Sequence, residues 1–287
     1  MLRWRDPRKV LREFNLEPSK RLSQNFLVSP HIVEGIAALV AKEPNMNVVE
    51  FGPGLGTLTR ALLNRKCCVL AIEADPNMLN VLSKEFEGEE QLEVQRGDAT
   101  AVDYPALQAR FGAALHLAGN LPYAVTGQIF RHLCEHYTTI SHAVFMVQKE
   151  VAMRLNAPVG TKSYGALTVF VNNLFHVEYA FTVKPGSFHP PPKVTSAVIE
   201  LWPRDNEVAK EHTMFRAVVR ASFDARRKTL RTALRGKFPQ SVSAIDAALE
   251  ACQIDPRRRG ETLSVDEFAK LSRALQTFQD KPIAESS

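Results

Sequence analysis

From Asn47 to about Trp202 the chain alternates short apolar runs with amphipathic stretches, the pattern of strands that cross over through helices in a parallel sheet. The runs Asn47–Phe51, Cys67–Glu73, Leu92–Arg96, Ala114–Gly119, His142–Gln148, Val177–Val183 and Val194–Trp202 predict strands. Between them Thr57–Arg65, Met78–Phe86, Ala124–Glu135, Lys149–Leu155 and Gly165–Phe175 predict helices, with Pro76 and Pro158 marking entries and exits. No clear helix separates the last two runs, so they are expected to pair antiparallel. The expected class is α/β, with a mostly parallel sheet and one antiparallel edge strand.

After Pro203 the β-branched runs give way to helix-forming stretches around Glu207–Phe223, Ser241–Cys252 and Ser264–Thr277. This predicts two domains, residues 1–204 with the sheet and a basic N-terminal arm, and residues 205–287 as a small helical domain. The tail Pro282–Ser287 is expected to be disordered. A hydrophobic content of 45% with 23% charged residues is ordinary for a globular chain of 287 residues. No run approaches the roughly 18 apolar residues of a membrane span, and the first 25 residues carry Asp6, Glu13 and Glu17 without an apolar core. A cytoplasmic protein is expected.

Charge changes the picture more than composition does. The net +5 conceals +4 in residues 1–21, +7 in residues 216–237 and +3 at Arg257, Arg258 and Arg259, leaving −9 elsewhere. Basic groups concentrated in this way suit a polyanion whose counterions are released on binding. The four cysteines show no C-x-x-C spacing and read as reduced thiols. His132 and His136 stand one helical turn apart, but no Glu follows His132 as in H-E-x-x-H, so a solvated helix face is favoured and no metal is expected.

Candidate chemistry gathers at the strand ends. Glu50-Phe51-Gly52-Pro53-Gly54-Leu55-Gly56-Thr57 closes one strand and opens a helix, and its glycine spacing suits a nucleoside without a pyrophosphate, such as S-adenosylmethionine, better than a dinucleotide. Glu73 ends the next strand 21 residues after Gly52, where an acid can accept from ribose hydroxyls; Gly97-Asp98 ends the third, where a carboxylate can accept from an adenine amine or merely form an Asx turn. Asn120-Leu121-Pro122-Tyr123 follows the fourth, joining an amide, a rigid kink and an aromatic face, which suits a flipped-out adenine as well as an ordinary turn. The proline-rich run Phe188–Ser196 is expected to be extended and to hold Phe188 outward, opposite Tyr123, completing a sandwich around a base.

Taken together, these residues resemble the ribosomal RNA adenine dimethyltransferase family, and within it the bacterial branch acting on small-subunit rRNA. Arg21–Leu27 resembles the family's cofactor-covering motif, with Ser23 where the family usually has Gly, and the resemblance continues through Val147–Val151, the F-x-P-x-P-x-V-x-S pattern at Phe188–Ser196, Arg226–Arg231 and Arg259–Ser264. It implies a Rossmann-like S-adenosylmethionine-dependent methyltransferase sheet. It also implies a cofactor pocket lined by Asn25, Leu27, Gly52, Gly54, Glu73, Asp98 and Asn120, and a target site of Asn120, Leu121, Pro122, Tyr123 and Phe188. Arg226, Arg227, Lys228 and Arg231 would bind RNA. The implied reaction methylates the N6 amines of two adjacent adenines near the 3′ end of small-subunit rRNA, by a monomer whose partner is the immature small ribosomal subunit. Open alternatives are a large-subunit adenine methyltransferase of the macrolide-resistance type and a non-catalytic RNA-binding assembly factor. A nicotinamide oxidoreductase is disfavoured by Thr57 and by the Asn120–Tyr123 motif.

Overall fold

The computed structural model describes residues 1–19, 22–204 and 213–280. Arg21, the start of the helix expected at Glu207, and the tail Pro282–Ser287 lie outside the described residues. The chain forms two compact units, Met1–Ala152 with His176–Pro203, and Met153–Phe175 with the chain from Arg204 onward.

In chain order the first unit contains α1 (Pro7–Glu13), β1 (Phe26–Leu27), α2 (Pro30–Val40), β2 (Asn47–Phe51), α3 (Thr57–Asn64), β3 (Cys68–Glu73), α4 (Pro76–Glu85), β4 (Leu92–Arg96), α5 (Tyr104–Phe111), β5 (Leu115–Asn120), α6 (Thr126–Glu135) and β6 (Ile140–Gln148). The helix α7 (Lys149–Leu155) leads out of it and α8 (Ala166–Leu174) lies outside it. The chain returns through β7 (Phe175–Val183), β8 (Phe188–His189) and β9 (Ser196–Pro203). Seven strands form one sheet in the order β4-β3-β2-β5-β6-β9-β7. The pairs β2–β3, β2–β5, β3–β4 and β5–β6 are parallel, while β9 runs antiparallel to β6, one position in from β7. β1 and β8 make a separate antiparallel pair in which Leu27 stands opposite Phe188.

Buried Val48, Val69 and Ala118 of the sheet share one core with Ile36 and Val40 of α2 and Leu58 and Leu62 of α3. Local signals set the helix starts. Asp75 accepts from the Asn77 amide and precedes Pro76 at the head of α4, and Asp103 does the same for α5 through the Ala106 amide. α3 begins after Gly56, whose φ of +74° and whose approach to Phe86, where a Cβ would lie 2.4 Å from the ring, leave room for glycine alone. Because β2, β3, β4 and β5 are parallel, the glycine turn, Glu73, Asp98 and Asn120 all emerge at one edge of the sheet.

The second unit is helical, with α9 (Thr213–Asp224), α10 (Leu230–Lys237), α11 (Val242–Ala251) and α12 (Val265–Asp280) joined by α8. The observed division differs from a cut at 204/205. Tyr164 and Val169 are buried in one cluster with Phe215, Val218, Leu249 and Phe268, and the Tyr164 hydroxyl donates to the Leu263 carbonyl at 2.9 Å. Residues that follow α7 in sequence therefore complete the helical core. Among the described residues no helix is long and apolar enough to cross a membrane.

Candidate active site

A cavity of about 300 Å³ opens at the edge where the four strands end, within the size range of small-molecule sites, roughly 300–1,000 Å³. Asn25, Leu27, Gly52, Gly54, Glu73, Asp98 and Asn120 all line it, as do Leu121, Pro122 and Tyr123. Gly52 has φ +63°, and a Cβ placed on it meets no atom within 4 Å, so any side chain there would project into open space beside the cavity. Glu73 is 8% exposed; its Oε2 accepts from the Gly54 amide at 3.0 Å and its Oε1 from the Asp75 amide at 2.8 Å. Burial raises its pKa, and those amide bonds oppose the rise. Asp98 accepts with one oxygen, Oδ1, from the Thr100 amide and hydroxyl, both at 2.8 Å, and no described group donates to its other oxygen. The Asx turn and a ligand contact are therefore compatible. A cradle without a side chain, a buried acid at ribose spacing and a half-used carboxylate match the polar groups of an adenosine nucleoside.

The segment Ser23–Leu27 is pinned over this cavity. Gln24 Nε2 donates to Asp75 Oδ2 at 2.7 Å, and its own Oε1 accepts from the Ser19 amide at 2.8 Å. Phe26 is buried with Val10 and Leu11 of α1 and with Leu55, Met78 and Val81. Part of the N-terminal basic charge is paired within the protein. Glu85 accepts from both Arg5, at 2.9 Å, and Arg60, at 3.0 Å, and Arg8 pairs with Asp6 at 2.7 Å.

Asn120 donates from Nδ2 to the Asn25 backbone carbonyl at 3.1 Å, and its Oδ1 has no donor among the described residues. Leu121 is 1% exposed, its amide bonded to the Met146 carbonyl; the Pro122 carbonyl takes the Val125 amide and the Thr126 hydroxyl, turning the chain into α6. The Tyr123 hydroxyl lies 2.6 Å from Ser196 Oγ, and burial raises its pKa, so the phenol is neutral at ordinary pH.

One expectation needs correction. Phe188 is not held outward: it is 4% exposed, packs in the core with Leu27 and Val198, and does not line the cavity. Its pairing with Leu27 in the β1–β8 ladder turns the ring inward. In the second unit Arg226 bonds Glu261 at 2.7 Å and the Lys162 carbonyl at 2.7 Å; Arg231 and Arg235 both bond Asp246, and those contacts hold the Asp246 carboxyl down at about 2. Arg227 and Lys228 are exposed, with no side-chain partner among the described residues.

Sequence reasoning gave no role to Glu50, which also lines the cavity at 1% exposure. The Thr59 hydroxyl donates to its Oε2 at 2.6 Å, and burial pushes its pKa up to about 8. A lone acid in the apolar strand Asn47–Phe51 was the available signal. His132 is structural, its Nε2 bonded to the Val102 carbonyl at 2.7 Å.

The ribosomal RNA adenine dimethylase family model matches residues 15–277. This chain belongs to that family. It is 38% identical over 275 residues to the ribosomal RNA small subunit methyltransferase A of Geobacter metallireducens, covering 94% of this chain and 100% of the relative. The protein of the same name from Desulfitobacterium hafniense is 40% identical over 263 residues, 91% and 93% of the two chains. Among solved structures, a dimethyladenosine transferase from Plasmodium falciparum superposes with a TM-score of 0.74 at 25% identity, covering 88% of this chain and 98% of the other. The 23S rRNA methyltransferase ErmE gives 0.66 at 27% identity, covering 88% and 100%. The dimethylase is thus a Rossmann-like methyltransferase, and the oxidoreductase reading falls away.

Proposed function

We propose that this dimethylase transfers methyl groups from S-adenosylmethionine to the N6 amines of two adjacent adenines in the 3′-terminal hairpin of small-subunit rRNA, acting as a cytoplasmic monomer on the immature small ribosomal subunit. The observation that carries the reading is the Asn120 carboxamide, tethered through its nitrogen to Asn25 and presenting an unpartnered oxygen at a cavity that also holds Glu73 and Asp98. The relatives at 38% and 40% identity are named for the small subunit, which favours that target over the large-subunit reaction in ErmE's name.

When bound, S-adenosylmethionine supplies a methyl carbon made electrophilic by its cationic sulfur. Glu73 would hold the ribose, Asp98 the adenine amine of the cofactor, and Gly52 the close backbone approach. The target amine is a poor nucleophile because its lone pair is delocalised into the ring. Asn120 Oδ1 accepts one amine hydrogen and, with the Leu121 carbonyl, favours a pyramidal nitrogen aimed at the donor. Tyr123 offers its ring face to the base, and such stacking contributes about 1–3 kcal/mol per base. Orientation of two reactants can remove about 7–11 kcal/mol of barrier, whereas a general base supplies roughly a hundred- to ten-thousand-fold, so alignment is the larger effect.

The test is mass spectrometry of small- and large-subunit rRNA fragments after incubation with the protein and a labelled methyl donor. Dimethylated adenines in the small-subunit 3′ hairpin are expected; label only in large-subunit rRNA, or none, refutes the assignment.

A further inference from the structure

We infer that Ser196 is a positioning residue for the target base, acting by anchoring the Tyr123 ring. The inference rests on the reading that an adenine enters beside Tyr123. Three observations carry it. The Tyr123 hydroxyl and Ser196 Oγ are 2.6 Å apart, a full hydrogen bond between residues 73 apart in sequence. Ser196 is fully buried and fixed in the sheet: it stands opposite Gln148 in the β6–β9 register, and the preceding Thr195 carbonyl accepts from the Lys149 amide at 2.9 Å. Tyr123 itself is only half-buried and lines the cavity on the short turn between β5 and α6, where nothing else described bonds its side chain.

The rigid sheet thus holds the far end of a ring whose near end sits on a turn. Without the tether the ring is free to rotate about its side-chain bonds, and a stacked base loses its fixed plane. The same contact defines what the phenol does not do. Neutral and engaged with a buried serine, it is not available as an acid or base toward the amine. Tyr123 works through its face, and its hydroxyl serves to keep that face still. The demand is greatest in the second transfer. An N6-methyl group leaves one hydrogen for Asn120 to accept, so ring stacking carries more of the alignment.

Ser196→Ala, Tyr123→Phe and the double variant are compared with the unaltered protein in two assays. A synthetic rRNA hairpin with 2-aminopurine at the target position, which lacks an N6 amine and cannot react, reports stacking by fluorescence quenching. Mass spectrometry of rRNA in timed reactions gives the ratio of monomethyl to dimethyl adenine. Each single variant is expected to weaken the quench, to lower kcat/KM by about three- to ten-fold, the scale of one hydrogen bond, and to raise the monomethyl fraction. The double variant is expected to match either single one. A reduced quantity of folded protein would slow both transfers without altering the quench of bound RNA. Additive losses, or unaltered quench and product ratio in Ser196→Ala, overturn the inference. If that variant does not fold, an unaltered ratio in Tyr123→Phe overturns it. Failure of the unaltered protein to methylate adenine would count instead against the underlying function.

Discussion

The Asn120 side-chain nitrogen and the Asn25 backbone oxygen are 3.1 Å apart, across 95 residues of sequence. Asn25 belongs to the segment Ser23–Leu27 that lines the cavity and Asn120 to the end of β5, so one hydrogen bond joins two sides of the candidate site. It also decides which way the amide faces. With the nitrogen committed to a carbonyl, the oxygen is the atom left for a substrate amine.

Replacing Asn120 tests that arrangement. Asn120→Ala removes both atoms, and Asn120→Asp places a carboxylate against the Asn25 carbonyl, where it has nothing to donate. Both are expected to lower methyl transfer by about a hundred- to a thousand-fold, the scale of losing one aligned polar group at a reaction centre. Cofactor affinity, measured by calorimetry, should change by less than about ten-fold, as the loss of a single hydrogen bond dictates. Near-normal turnover of Asn120→Ala would remove the assigned role.

Gln24 to Asp75 is a second contact that holds the Ser23–Leu27 segment, a 2.7 Å bond to a carboxylate that is 7% exposed. A hydrogen bond to a charged group contributes about 1.5–3 kcal/mol, so Gln24→Ala should weaken S-adenosylmethionine binding by roughly ten-fold or more. RNA affinity without cofactor should be unaffected. A cofactor Kd equal to that of the unaltered protein would show that the segment stays closed by Phe26 packing alone.

The site was more legible in the sequence than the elements that close it. Strands β2 and β4 match the predicted ranges to the residue, β2 as a buried, mostly apolar run and β4 as an edge strand in which Leu92 and Val94 alternate with polar residues. The polar residues at four strand ends could be placed together because parallel strands end on one side. α1, α10 and the β1–β8 pair carry weaker signals, whereas α2 and α5 begin with the start signals Ser29-Pro30 and Asp103 with Pro105, which the alternation of strands and crossovers passes over. α1 is only seven residues long, and the two-residue strands have no periodicity to read. The inward turn of Phe188 depends on Leu27, 161 positions away, and the engagement of Arg226 on Glu261; neither partner is visible from local pattern.

Glu50 gives a pH dependence with a definite sign. Its pKa is raised from 4.5 to about 8 in the folded protein by burial, so the folded state favours the neutral acid. Its stabilising contribution is complete below pH 4.5 and is lost as pH rises through about 8, above which the group is ionised in both states. Over that window the loss approaches about 1.4 kcal/mol per pH unit at its steepest. Glu50→Gln keeps the Thr59 hydrogen bond and should flatten the decline. Urea unfolding from pH 5 to 9 measures it, and parallel curves for the two proteins would assign the dependence elsewhere.

The basic residues of the second unit separate into two kinds. The side chains of Arg227 and Lys228 are exposed and unpartnered among the described residues, whereas Arg226 ties Glu261 to the carbonyls of Thr161 and Lys162. Neutralising the first pair removes charge without breaking a side-chain bond inside the protein. Arg227→Ala with Lys228→Ala should therefore leave the melting temperature within about 2 °C and reduce the salt dependence of rRNA binding, with a slope lower by about 0.7–0.9 for each phosphate that is no longer neutralised. Arg226→Ala should behave oppositely. It leaves the Glu261 carboxylate without its arginine and frees the 161–164 loop, so the main effect should be lower thermal stability, by several degrees if about 1 kcal/mol is lost. Binding titrations from about 50 to 300 mM salt, run beside melting curves, distinguish the two. An unaltered salt slope in the Arg227–Lys228 variant would place the RNA surface of this unit elsewhere.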